Sequence, residues 1–121
     1  MIHHMRLHAE PFKQFKFGKK QIELRINDPK RQMVKVGDEI VFTSRKSREE
    51  LTFKVIGRVL FSDFKTLVKY MTADKCGFTE DAPHGYKEEW MGNIYSREDI
   101  EKYGALGLVL APSLPSNASC C

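Results

Sequence analysis

Gly18-Lys19-Lys20-Gln21-Ile22-Glu23-Leu24-Arg25-Ile26 decides how this chain folds. Ile22, Leu24 and Ile26 alternate with Gln21, Glu23, Arg25 and Asn27, and a period of two requires a strand with one apolar face. Residues two apart on a strand point the same way and stand about 7 Å apart, so Gln21, Glu23 and Arg25 share the opposite face. By the same alternation Lys20 belongs to the apolar face, at its open end. Gly18 permits a tight turn just before it, and Asn27-Asp28-Pro29 ends the strand. A carboxylate beside a guanidinium holds the latter in place while leaving donors free, which presents a rigid fork to a phosphate or a base edge. The plainer reading is a solvated strand face whose charges pair for solubility. The segment is not a phosphate-cradling P-loop, because no second Gly precedes Lys19 or Lys20 at the required spacing and no Ser or Thr follows.

Working outward, Glu10-Pro11 before Phe12 and Phe15 predicts a helix of about two turns that stops at Gly18. Downstream, Val36-Gly37-Asp38-Glu39 is a turn into a strand at Ile40, Val41 and Phe42, and Leu51 to Phe61 is a second strand rich in Val, Ile and Phe. The segment between them, Thr43 to Glu50, has no apolar side chain and carries Arg45, Lys46 and Arg48, so it reads as an exposed basic hairpin loop. Ser62 is placed to cap a helix with Phe64, Leu67, Val68 and Met71 on one face. A further helix is expected around Trp90, Met91 and Ile94. Ser96 with Asp99 three residues on is a capping arrangement for a short helix that Gly104 closes. The run Ala105-Leu106-Gly107-Leu108-Val109-Leu110 is a buried final strand. Four or five strands among three or four short helices, with the first and last strands paired, predict an α+β barrel decorated by helices.

A chain of 121 residues, 41% apolar and 30% charged, suits one domain. Residues 1–111 form that unit, and the small, polar, proline-broken 112–121 reads as a flexible C-terminal tail. No apolar run reaches the roughly 18 residues of a membrane span and the N-terminus is not a signal peptide, so the expected setting is soluble and cytoplasmic, with no membrane contact. The net charge of +4 is polarised: residues 1–60 hold 14 basic and 7 acidic residues, residues 61–121 hold 6 basic and 9 acidic. A basic surface built by the first half would attract phosphate-bearing ligands; a solubility pattern without a partner is the alternative. Three cysteines, two of them terminal, make no disulfide framework. Cys76 and His84 lack a second pair at ligand spacing. His4 and His8 fall on one strand face and His3 on the other, so no metal site is expected, and no cofactor is implied.

Three blocks carry a family resemblance: Gly18-Lys19-Lys20-x-Ile22-Glu23-x-Arg25; Lys35-x-Gly37-Asp38-x-Ile40-x-Phe42; and Tyr95 to Gly107 with Tyr103-Gly104-x-Leu106-Gly107. In this order, and over about 90 residues, they resemble the ASCH domain family. The resemblance implies a PUA-like fold, a small mixed β-barrel with short helices covering a ligand cleft, and an RNA- or nucleotide-binding role. It places Lys19, Lys20, Glu23 and Arg25 along the cleft, extended by Arg45, Lys46 and Arg48, with Tyr86, Trp90 and Tyr95 on the helical stretch facing it as candidate stacking platforms. Core packing is the competing fate of Trp90 and of one tyrosine.

One branch of the superfamily resembles amidohydrolases that deacetylate N4-acetylcytidine with a Lys, a Thr nucleophile and a Glu. Lys20 stands at the lysine position, but Glu23 occupies the threonine's place. If the chain is a hydrolase of an acylated nucleoside or of RNA, Lys20 and Glu23 are its reacting pair, and Glu88 and Glu89 are candidates for the third residue. The leading expectation is a non-catalytic module for RNA or a small nucleotide-like ligand, and a third reading is a protein-interaction domain with a vestigial cleft.

Overall fold

The computed structural model describes residues 1–78, 91 and 94–113. Its elements are β1 (Ile2–Leu7), α1 (Ala9–Lys16), β2 (Ile22–Ile26), α2 (Pro29–Gln32), β3 (Glu39–Ser44), β4 (Glu50–Phe61), α3 (Phe64–Met71), α4 (Arg97–Tyr103) and β5 (Ala105–Pro112). The strands form one sheet in the order β1-β3-β4-β5-β2. Neighbours are antiparallel except β1 and β3, which run parallel. The expected pairing of first and last strands is thus made by β2 and β5, not by β1. Both β1 and β2 are edges of a curled half-barrel, and the Arg25 guanidinium spans the seam between them, Nη2 donating to the Arg6 carbonyl at 3.4 Å.

Burial on both faces explains why β5 is a continuous apolar run. Leu106, Leu108 and Leu110 enter a core with Phe42, Phe53 and Val55, onto which α1 lays Phe12 and Phe15. The Phe15 ring stacks on Phe42 at 4.8 Å and meets Phe53 at 5.2 Å. Ala105 lies on the other face with Ile22, Leu24 and Ile26, covered by Phe64, Leu67 and Val68 of α3. Gly107 is required by close approach: a Cβ there would stand 2.8 Å from Val59 Cγ2.

Several local expectations shift. The α3 cap is Asp63, not Ser62; its Oδ1 accepts the Thr66 N–H at 2.7 Å. Asn27-Asp28-Pro29 does more than end a strand, because Asp28 caps the one-turn α2, with Pro29 in its first turn and Oδ1 accepting from the Arg31 N–H. The basic hairpin loop shrinks to residues 45–49, since Thr43 and Ser44 belong to β3 and Glu50 to β4. β1 stops at Leu7, so His8 shares no strand face with His4 and instead precedes α1. The last strand continues to Pro112, and Ser113 donates to Glu39. Ser96 caps α4 by accepting the Asp99 N–H, and Gly104 follows its last turn. Residues 79–90, with Tyr86, Glu88, Glu89, Trp90 and His84, lie outside the described residues, as do 114–121.

Candidate functional site

β2 carries the chemistry. Its burial departs from the half-solvated strand that alternation predicts, because Glu23, on the polar side, is only 3% exposed. The surrounding side chains explain how a carboxylate tolerates this. Glu23 Oε1 lies 3.1 Å from Lys20 Nζ, and Oε2 accepts from Arg25 Nε at 3.0 Å and lies 2.8 Å from Nη2. Burial pushes the carboxyl pKa up, but the Lys20 ammonium and the Arg25 guanidinium outweigh it through charge and hydrogen bonds, so the group sits below its ordinary value and is ionised. For Arg25, burial opposes the charge, and the Glu23 carboxylate more than restores it.

Lys20 does not stand on the apolar side of the strand. It precedes β2, where alternation no longer governs, and its four-carbon stem brings the ammonium to Glu23 and to 5.4 Å from the Phe15 ring centroid. Backbone bonds set this turn: the Lys19 and Lys20 N–H groups both donate to the Gln14 carbonyl, and Gln21 and Ile22 donate to that of Lys75. Gly77, at φ +93°, packs against the same place; a Cβ on it would stand 2.6 Å from Gln14 Oε1 and 3.0 Å from Lys20 Cδ.

Above these groups lies a cleft of about 530 Å³ across the seam between β1 and β2. Lys20, Glu23, Arg25, Arg45 and Tyr95 line it together with Arg6, His8 and Glu10. Its apolar walls come from Leu7, Pro11, Leu24, Phe78, Met91 and Ile94. Arg45 is brought there by its N–H, which donates to the Leu7 carbonyl at 2.9 Å. Lys19, Lys46 and Arg48 are exposed and do not line the cleft. Tyr95 stacks on Phe64 with centroids 6.0 Å apart. Burial raises its phenol pKa against the opposing charges of Arg25 and Arg31, so a neutral hydroxyl bonds the Arg25 guanidinium and the Ile26 backbone. Cys76 also lines the cleft, but burial pushes its thiol up to about 11 despite Lys20, so the reactive thiolate is scarce at neutral pH.

Sequence reasoning missed Arg6, His8, Gln14 and Cys76. They come from elements whose side-by-side placement is set by the seam, and no local pattern in the sequence encodes that. Among the described residues no group of three His, Cys, Asp or Glu side chains is arranged to hold a metal, and no helix is long and apolar enough to cross a membrane.

A curled five-stranded sheet with a helix-lined cleft at its open seam defines a PUA-like α+β fold, and solved structures agree. One is the crystal structure of hypothetical protein PH0355, 29% identical, with a TM-score of 0.77 over 93% of this chain and 100% of that one. The solution structure of PF0455 from Pyrococcus furiosus, 24% identical, gives 0.68 over 93% and 97%. A single-residue mutant of ZmASCH from Zymomonas mobilis, 16% identical, gives 0.66 over 94% of this chain and 71% of that one. The sequence matches the ASCH domain family model over residues 5–110, and the chain belongs to that family. No curated protein matches it.

Proposed function

We propose that this ASCH domain binds RNA or a nucleotide-like ligand in the cleft, the base against its apolar walls and a phosphate on Lys20 and Arg25. The carrying observation is the buried Glu23 with a cation on each oxygen. Solvent-shielded charges of this kind cost desolvation and rarely stabilise a fold more than apolar side chains would, so they favour a role in recognition. Glu23 neutralises one of the two cations, and the cleft keeps net positive charge through Arg6 and Arg45 against Glu10. An ammonium has three donors, so Lys20 retains donors for a ligand while Glu23 fixes its position.

The hydrolase reading draws less support. A carboxylate held below its ordinary pKa with both oxygens engaged is a weak general base, and the Cys76 thiol is no ready nucleophile. Fluorescence anisotropy with a mixed pool of labelled short RNAs tests the proposal. Binding should weaken as salt rises, log K falling by about 0.7 per phosphate contacted for each unit of log salt. Lys20→Met and Arg25→Met should each weaken binding at least tenfold. No binding at low salt, or binding indifferent to both substitutions, refutes it. Incubation with N4-acetylcytidine should give no product.

A further inference from the structure

Two residues past Arg25, just after β2 ends, Asn27 stands about 7 Å further along the extended chain, and here two more arginines meet. Arg58, from β4, donates through Nη2 to Asn27 Oδ1 at 2.9 Å and to the Arg31 carbonyl at 3.5 Å. Arg31, from α2, donates through Nη1 to Asp28 Oδ2 at 2.9 Å. Asp28 makes the one ion pair recorded for either guanidinium among the described residues, so a unit of positive charge is left over. The Nε atoms of Arg31 and Arg58 are shielded from solvent and have no hydrogen-bond partner among the described residues. Shielded charged donors without acceptors are costly, and two on residues joined by the Arg58 bond to the Arg31 carbonyl invite an anion that both can bond.

The place is built rather than incidental. Asn27 is fixed on two sides, its N–H donating to the Gly104 carbonyl and its carbonyl accepting from Gln32 Nε2. Both arginine side chains remain partly exposed, so an anion can reach the outer edges of the guanidinium groups, and the shielded Nε donors meet it once the side chains turn. Lys20 and Arg25 therefore gather near Glu23 of β2, and Arg31 of α2 and Arg58 of β4 gather past its other end, where Asn27 follows. Asn27 follows Arg25 by about 7 Å of extended chain, and the Tyr95 hydroxyl bonds Arg25 and also feels the charge of Arg31.

We infer that Arg31 and Arg58 form a second phosphate site, so that the ligand is an oligonucleotide strand lying along β2 rather than a single nucleotide. This rests on the proposed function but can fail separately from it. The direct probe is the arginine Nε–H region of the 1H–15N spectrum of the intact chain, titrated with inorganic phosphate, then a nucleoside 5′-monophosphate, then a 5′-phosphorylated dinucleotide.

The Arg31 and Arg58 Nε–H signals should move with inorganic phosphate and with the dinucleotide. The dinucleotide should bind roughly tenfold or more tightly than the monophosphate, a gain lost in Arg58→Met and largely lost in Arg58→Lys, which keeps the charge but not the fork. If Arg58→Met unfolds, Arg31→Met and the spectra of the unmodified protein carry the test. Static Nε–H signals with all three probes overturn the second site whether or not the cleft binds. A dinucleotide no tighter than the monophosphate overturns the strand while leaving the proposed function intact.

Discussion

Replacing Glu23 with Gln removes one charge and keeps the shape, and the structure indicates the consequence. The carboxylate is 3% exposed and touches two cations at 2.8 to 3.1 Å, both of them largely shielded. Without it, Lys20 and Arg25 face each other across a neutral amide. Breaking a buried ion pair from one side costs about 3–5 kcal/mol. In a domain of this size that is a fall in Tm of on the order of 10 °C or more, readable by calorimetry or a urea melt. An anion should return part of the loss, because a ligand at a hundred times its Kd adds about 2.7 kcal/mol. The E23Q variant should therefore gain more stability from added phosphate than the parent does.

The companion variant separates charge from packing. Lys20→Met, Glu23→Leu and Arg25→Met together replace every charge with apolar volume and should restore stability to the parent level or above, while abolishing ligand binding. If E23Q melts within about 0.5 kcal/mol of the parent, the usual range of a surface change, the three groups are not the coupled, shielded unit described, and nothing then marks them as a recognition site. A triple variant less stable than E23Q would also refute it, since the charges would then be holding the fold.

Three further outcomes follow from the same structure. Asp38 accepts from His3 and from the Lys35 N–H, which hold its carboxyl down at about 2. Because its folded value lies below its ordinary one, its contribution is complete above about pH 4 and vanishes as pH falls toward 2, so Asp38→Asn should flatten acid unfolding in that window. Iodoacetamide at pH 8 should leave Cys76 unmodified in the native chain and label it fully in urea, as peptide mapping would show. Gly77→Ala must carry a left-handed backbone, costing about 1–2 kcal/mol, and must push against Gln14 and Lys20, so RNA affinity should fall with stability; unchanged affinity would show that the Lys20 position is not critical.

Much of this architecture was legible in the sequence for local reasons. Period-two alternation located β2, Pro11 with Phe12 and Phe15 located α1, the helical spacing of Phe64, Leu67, Val68 and Met71 located α3, and Ser96 with Asp99 located the start of α4. What escaped was decided by tertiary contacts. The alternation rule misplaced Lys20 because a long side chain in a turn goes where its charge is neutralised, and Glu23 is 3.1 Å away. It also left Glu23 on a solvated face, since nothing in an isolated strand tells that a second sheet edge and the 73–78 segment close over it. The basic loop split for the same reason: Arg45 is drawn to the cleft by a backbone bond to Leu7, while Lys46 and Arg48 at the tip have no such tether.

The three blocks that resemble the family turn out to do different work. Lys35 to Phe42 closes a turn: Asp38 accepts from the Lys35 N–H, Gly37 donates to the Val55 carbonyl, and the strand that follows supplies core. Tyr103 to Gly107 ends α4 and lets β5 pass close beneath Val59. Only the first block carries charge into the cleft. A chain that kept the second and third blocks but lost Lys20, Glu23 and Arg25 would, on this reasoning, still fold as an ASCH domain while losing its proposed ligand. The half-barrel needs apolar β5 and the two turns, whereas the seam between β1 and β2 is held among the described residues by the Arg25 bond to the Arg6 carbonyl. The seam is therefore where the charged groups can change together while the apolar core stays, and it is where the proposed binding site lies.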